Sequence, residues 1–351
     1  MQTPQFRILA SDYLERNRIN GLRQISQILE KKRVFLTRTL HNFALNELKK
    51  KYQIEIHSGK IPIPKTKLLK KIQNVDGLIC FPYDKIDKEL IDAAKNLKII
   101  STFSVGYDHI DIQHAIKKKI RVGYTPEVLT DATADLAFSL ILDILRRVSE
   151  GDRTIREGKW IQIYGAYDYV GIDLQGKTLG ILGLGRIGST LAKRAKAFDM
   201  KIIYHNRKPI SKNKEETLGV KYVTLDKLIT QSDIISIHVP HTKETNQLFD
   251  MKVFRKMKKT AYLVNTARGK IVNEKDLAVA LKKKIIAGAA LDVYNNEPIG
   301  KKHPLTKIQN IVLAPHIGSS TKETRAKMAE ITIKNLELGI NHKKPIYSVG
   351  Y

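Results

Sequence analysis

Gly183-Leu184-Gly185-Arg186-Ile187-Gly188 stands between two segments of opposite character. Before it lies Thr178–Leu182, a short apolar run with the composition of a buried parallel strand. After it lies Ser189–Ala197, whose alternation of small, apolar and basic residues suits a helix. Strand, glycine loop and helix together form the context of a dinucleotide-binding fingerprint. The first glycine permits a tight turn, the second lets backbone approach a pyrophosphate, and the third lets helix pack on strand. The helix start then offers N–H groups and a positive dipole end to the phosphates. Gly183, Leu184, Gly185, Arg186, Ile187 and Gly188 are therefore candidate cofactor-binding residues.

The rest of the chain fits an α/β architecture of parallel sheets covered by helices. Strand-like runs occur at Val34–Thr37, Gln53–Ile56, Gly77–Phe81, Lys98–Thr102 and Ile120–Val122. They resume at Thr178–Leu182, Met200–Tyr204, Asp233–Val239, Ala261–Val264, Ala287–Val293 and Ile311–Leu313, with helix-like segments such as Lys88–Asn96 between them. Near-continuous apolar runs separated by helices are the mark of doubly covered parallel sheets. A long helix is expected from about Thr133 to Val148, with Ala137, Leu140, Ile141, Ile144, Leu145 and Val148 on one face and Asp131 as its N-cap. Gly123-Tyr124-Thr125-Pro126 interrupts the pattern, and a domain crossing is expected there. Leu22, Ile25, Ile28 and Leu29 suggest a short helix in a segment, residues 1–30, with no readable role.

Composition narrows the class. The chain has 351 residues, enough for two domains, and its hydrophobic content of 42 % is ordinary for a globular protein. No apolar run reaches the roughly 20 residues of a membrane helix, and no secretory signal is evident. With its single cysteine, Cys80, in an apolar run, the chain is expected in a reducing, cytoplasmic compartment. The net charge of +27 is spread over runs such as Lys49–Lys51, Lys117–Lys119 and Lys282–Lys284. Scattered lysine without a nucleic-acid-binding motif reads as basic surface, so no nucleic-acid partner is expected. The histidines show no metal-ligand spacing, and no metal is expected.

Three strand ends carry candidate chemistry. Arg268 follows the strand Ala261–Val264, on the edge where open α/β sheets bind ligands, and its planar fork suits a carboxylate with a neighbouring keto oxygen. Glu297, held out of helix by Pro298, follows the strand Ala287–Val293, and His316 follows Ile311–Leu313. A carboxylate paired to imidazole orients the ring and favours its protonated form, which makes a general acid usable near neutrality. His238, Val239, Pro240 and Thr245, at and after another strand end, are expected to wall the cofactor pocket.

Cofactor preference is read at Tyr204-His205-Asn206-Arg207-Lys208. An NAD-selective site places a carboxylate about 20 residues past the glycine loop to bond the ribose 2′-OH. Here Asn206 stands in that place and Arg207 and Lys208 follow, so NADP(H) is favoured over a weaker use of NAD(H).

These motifs resemble the D-2-hydroxyacid dehydrogenase family, most of all its glyoxylate/hydroxypyruvate reductase branch. The resemblance runs from about Val34 to the C-terminus and includes Val105–Asp111, Leu129–Leu136, Gly183–Gly188, Asn265–Gly269, Gly288–Pro298 and Pro315–Gly318. It implies two Rossmann/flavodoxin-like domains with the active site in the cleft between them. The substrate-binding domain would be 31–126 with 317–351, and the NAD(P)-binding domain 127–316. It further implies that Arg268 binds a small 2-keto acid, His316 donates or accepts the proton, and Glu297 supports His316. Backbone amides of Val105 and Gly106 would hold the substrate carboxylate. Thr133 and Asp292 would lie near the nicotinamide, with Thr266, Ala267 and Gly318 beside them. The C-terminal helix-like stretch Lys322–Leu338 would pack on the first domain, and the active unit would be a homodimer. One alternative keeps the fold without the chemistry, as a dinucleotide-sensing corepressor does. A formate dehydrogenase is disfavoured, because that branch has glutamine where this chain has Glu297. Between Trp160 and Gly176 the second tryptophan of some hydroxypyruvate reductases is missing.

Overall fold

The computed structural model describes residues 31–59 and 61–350. The expected helix around Leu22–Leu29, with the rest of residues 1–30, lies outside them. The described chain divides into two compact units, 31–125 with 326–350, and 126–325.

The first unit is built on a five-stranded sheet: β1 Arg33–Leu36, β2 Gln53–Ile56, β3 Gly77–Cys80, β4 Ile99–Thr102 and β5 Arg121–Gly123. Every pairing is parallel, in the order β2-β1-β3-β4-β5. β3 and β4 are buried along their whole length. Phe35, Leu78, Cys80 and Ile100 pack with Leu68, Ile72, Leu90 and Ile91 from the crossover helices. From Ala326 onward the final helix, Lys322–Ile340, completes this unit. Ser101 Oγ donates to Thr332 O at 2.8 Å, and Asn335 Nδ2 to Tyr124 O at 3.0 Å. A Cβ on Gly339 would lie 2.6 Å from Ile99, so only glycine allows the helix this close to β4.

The second unit holds seven parallel strands: β6 Thr178–Leu182, β7 Lys201–His205, β8 Val220–Tyr222, β9 Ile234–Ile237, β10 Tyr262–Asn265, β11 Gly288–Leu291 and β12 Ile311–Leu313. Their order is β12-β11-β10-β9-β6-β7-β8. Successive residues feed opposite faces. Ile234, Val264 and Ala290 join one core cluster, while Ile235, Leu263 and Ala289 join the other. That is why these strands read as continuous apolar runs rather than alternating ones. Strand order reverses between β6 and β9 here, and between β1 and β3 in the first sheet, the switch points at which such sheets open a crevice beyond their C-terminal ends.

Two local expectations are corrected. Asp131 does not cap the long helix, which spans Thr130–Arg146 with Leu129 at the N-cap. Asp131 sits in the first turn, where its carboxylate faces Arg194 at 3.2 Å and the dipole favours negative charge. The helix also stops before Val148. Arg147 turns left-handed (φ 58°), held by a bidentate pair with Glu150 and by its stacking on Tyr169, and a second helix runs from Val148 to Arg156. β8 carries little apolar signal in the sequence, since exposed Lys221 stands in the middle of its three residues. Among the described residues, no helix is long and apolar enough to cross a membrane.

Candidate active site

The loop after β6 is built around its glycines. Gly183 has φ +99°, and a Cβ there would come within 2.7 Å of the His238 carbonyl carbon. Around Gly185 a Cβ would meet nothing within 4 Å, so the loop leaves open space where a phosphate group approaches. The helix Arg186–Lys196 starts at Gly185 with no side chain capping it. An open glycine and an uncapped helix start are what a pyrophosphate requires. Asn206, just past β7, donates nothing to this loop but receives from it: its Oδ1 accepts Leu184 N–H at 2.7 Å. The amide thereby braces the glycine loop, and its orientation is set. Arg207 and Lys208 beyond it are exposed. The Glu244 carboxyl is held below the usual range first by the Thr242 hydroxyl, then by its own backbone N–H, with smaller contributions from Arg207 and Lys243.

On the other side of the switch point, His238 ends β9. Its Nε2 lies 2.8 Å from Ser236 Oγ, and burial pushes its pKa down to about 4, so the ring is neutral near pH 7. The turn that follows is held by Thr245, which donates to Pro240 O at 2.8 Å and accepts Thr242 N–H at 2.7 Å. Val239 is half-buried beside it.

β10, β11 and β12 are neighbours, and each delivers one of the predicted chemical residues from its C-terminal end. Buried Asn265 frames the arginine turn: its Oδ1 accepts Ala267 N–H at 3.0 Å, and its Nδ2 donates to Arg268 O at 2.8 Å. Arg268 Nη1 donates back to Ala267 O at 2.8 Å. The Thr266 hydroxyl next to it is buried with no partner among the described residues. Such an orphan at a strand end has room for a polar partner supplied from outside the described residues.

After β11, Glu297 is fixed from two sides. Oε1 accepts Tyr294 N–H at 2.8 Å, and Oε2 lies 2.5 Å from His316 Nδ1. A carboxylate only accepts, so His316 carries its proton on Nδ1 toward Glu297 and presents Nε2 away from it. His316 itself has φ 55°, and the residues after it are anchored by Asp292. Asp292 Oδ1 accepts Ile317 N–H at 2.7 Å and Oδ2 accepts Gly318 N–H at 2.8 Å, while Thr133 Oγ1 donates to Gly318 O at 3.1 Å. Burial raises the Asp292 carboxyl pKa, opposed by those two N–H groups and by His316. Thr133, Gly318 and Asp292 thus form one hydrogen-bonded set and Glu297 and His316 another, joined through the chain at 316–318, with Arg268 on the adjoining strand end.

Several supporting residues carried no sequence signal for their work. Asn265 and Tyr294 lie inside quoted motifs without an assigned role. Glu274 accepts Asn295 N–H at 2.8 Å and so ties the glutamate loop to the helix Glu274–Lys282. In the first unit, the loop after β4 leaves the N–H groups of Val105, Gly106 and Tyr107 without a partner among the described residues. Cys80 is buried, and burial raises its thiol pKa, in keeping with a packing role.

The chain is similar to proteins already known. The sequence model of the D-isomer specific 2-hydroxyacid dehydrogenase NAD binding domain matches residues 138–318. A glyoxylate reductase of Thermofilum pendens is 48% identical over 305 residues, covering 87% of this chain and 90% of that protein. A crystal structure of a Thermus thermophilus protein superposes with a TM-score of 0.84 at 42% identity, covering 90% of this chain and 99% of its own. An NADPH-dependent glyoxylate/hydroxypyruvate reductase from Sinorhizobium meliloti, solved with NADP and malonate, gives a TM-score of 0.80 at 30% identity, covering 92% of this chain and 97% of its own. The chain carries an NAD-binding domain and belongs to the D-isomer specific 2-hydroxyacid dehydrogenase family.

Proposed function

We propose that this protein reduces glyoxylate or hydroxypyruvate to the corresponding D-2-hydroxy acid, with NADPH favoured and NADH used more weakly. The observation that carries the reading is the His316–Glu297 pair at 2.5 Å, set on the strand end beside Arg268 in a domain of NAD-binding type. When bound, the nicotinamide supplies the hydride. Arg268 orients the keto acid by its two-pronged guanidinium, and the Val105 and Gly106 amides hold the carboxylate. His316 delivers the proton from Nε2 to the oxygen of the reduced carbonyl. Glu297 keeps the ring in place and stabilises it as a cation before transfer. In the reverse direction the same nitrogen takes the hydroxyl proton. Gly183–Gly188 with the helix start receive the pyrophosphate, and Thr133, Thr266, Ala267, Asp292 and Gly318 line the nicotinamide end. His238, Val239, Pro240 and Thr245 wall the adenosine end, where Asn206, Arg207 and Lys208 meet the 2′-phosphate.

The glyoxylate and glyoxylate/hydroxypyruvate reductases among the relatives give no support to the corepressor alternative. We assign the working form to a cytoplasmic homodimer. Ile161, Ile163 and Tyr167, at 86%, 94% and 95% exposure, form an apolar stretch that a second copy would cover. The deciding experiment is initial-rate kinetics with glyoxylate, hydroxypyruvate, pyruvate and a bulkier 2-keto acid, each with NADPH and NADH. Highest kcat/KM for glyoxylate or hydroxypyruvate with NADPH is the expected result. Absence of turnover with all four acids would overturn the assignment.

A further inference from the structure

The loop after β4 is anchored at its start. Phe103 N–H donates to Cys80 O at 2.9 Å, and Ser104 O accepts Thr125 N–H at 2.9 Å. Beyond Ser104 the character changes, since the next three N–H groups have no partner among the described residues. A run of unpaired amides at a strand end makes an anion-binding concavity, provided the peptides stay turned the right way. Glycine at 106 leaves a peptide free to flip, so something else must hold it.

That something is a chain of three hydrogen-bonded side chains, two of them buried. Ser104 Oγ donates to Gly106 O at 2.5 Å. Thr102 Oγ1 lies 2.9 Å from Ser104 Oγ, and His109 Nε2 lies 3.0 Å from Thr102 Oγ1. Thr102 and Ser104 are both buried. The direction of the chain follows by elimination. A carbonyl oxygen only accepts, so the single Ser104 proton points at Gly106. Ser104 must then accept from Thr102, which spends its own single proton there. Thr102 in turn must accept from His109, so Nε2 of that ring carries a hydrogen. Because a trans peptide sets its C=O and the following N–H on opposite sides, drawing Gly106 O inward turns the Tyr107 N–H outward.

We propose that His109, Thr102 and Ser104 form a positioning relay that locks the Gly106 peptide and keeps the amides of Val105, Gly106 and Tyr107 presented to the substrate carboxylate. The relay rests on the carboxylate reading given above. It makes Tyr107 N–H a third donor beside the two already assigned. The three relay residues touch no reacting atom; they act through the loop.

The test uses the full chain with glyoxylate and with its methyl ester, which keeps the carbonyl and lacks the charge. Ser104→Ala should raise KM for glyoxylate about 5- to 20-fold, the worth of one or so hydrogen bonds to a charged group, with kcat within about threefold of wild type. KM for the ester and the affinity for NADPH should not change. Thr102→Val should act like Ser104→Ala, and the double variant should be no worse than the stronger single one, because the residues work as a unit. Thr102→Ser, which keeps the hydroxyl, should restore KM and guards against a merely unfolded valine variant. A Ser104→Ala enzyme with unchanged glyoxylate KM, equal losses on acid and ester, or multiplying effects in the double variant would each overturn the relay. A wild-type enzyme that binds acid and ester equally well would instead remove the carboxylate reading, and the relay with it.

Discussion

On the NADPH reading proposed above, Asn206→Asp tests cofactor selection at one atom. Asn206 Oδ1 already accepts Leu184 N–H at 2.7 Å, so aspartate keeps that bond and the brace on the glycine loop. Only Nδ2 changes, from a donor to a charged acceptor. A carboxylate about 5 Å from a 2′-phosphate, at an effective dielectric of about 40, repels it by roughly 1.7 kcal/mol per unit charge, and by about 3 kcal/mol for the phosphate as a whole. That converts to a loss of roughly 150-fold in kcat/KM for NADPH. The same oxygen can accept the ribose 2′-OH of NADH, so kcat/KM for NADH should hold or rise by up to about 10-fold, the worth of one hydrogen bond. Arg207→Ala should cost NADPH about 5- to 30-fold, as for an exposed charge-assisted contact, and leave NADH unchanged. Steady-state kinetics with each cofactor at saturating keto acid reads both effects, and raising the ionic strength should shrink them. The melting temperature of Asn206→Asp should stay within about 2 °C of wild type, because the effect lies in binding. The reasoning fails if Asn206→Asp retains NADPH use within fivefold, or if Arg207→Ala leaves NADPH kinetics unchanged.

Three further outcomes are expected. His316→Ala should lower kcat by roughly 10²–10⁴-fold, and Arg268→Lys should lose at least about tenfold in kcat/KM despite keeping its charge, with cofactor affinity near normal in both by fluorescence titration. His238, whose pKa falls from 6.5 to about 4 on folding, stabilises the fold above pH 6.5 and loses that contribution as pH falls toward 4. Urea unfolding should therefore show about 2 kcal/mol lost between pH 7 and pH 5 that His238→Gln does not lose. Ile163→Asp with Tyr167→Asp should shift the protein from dimer to monomer in light scattering, and a dimer surviving both changes would show that this apolar stretch is not the interface.

What the sequence made legible was whatever has a backbone cause. The tight turn at Gly183 and Gly188 could be read because a glycine loop between strand and helix leaves few conformations, and the structure places a Cβ at Gly188 only 2.3 Å from Gly183 O. Arg268, Glu297 and His316 could be placed on one edge because parallel strands put every following loop at the same end of the sheet. The misread features depend on side chains distant in sequence. Asp131 reads as a cap because its type suits one, but Arg194 lies 63 residues along the chain and nothing local announces the pair. Arg147 ends the long helix through Glu150 and Tyr169, where periodicity alone continues to Val148.

The same division runs through the site. The candidate chemical residues follow strands, where pattern reveals them, and so do Asp292 and Asn206; what pattern does not reveal is the main-chain group that each orienting side chain holds. Asp292 anchors the residues after His316 across 25 positions, Asn206 braces Leu184 across 22, and Thr133 reaches Gly318 across 185. Each of these is a polar side chain satisfying backbone N–H or C=O groups, and such bonds are costly to leave unmade when buried. Site geometry in this protein is therefore maintained by the obligation to pair main-chain groups. A substitution at Asp292 should accordingly be felt at His316 through the segment Ile317–Gly318, even where the imidazole and its carboxylate are untouched. Asp292→Ala, which strips two acceptors at once, should lower kcat more than it lowers affinity for the keto acid.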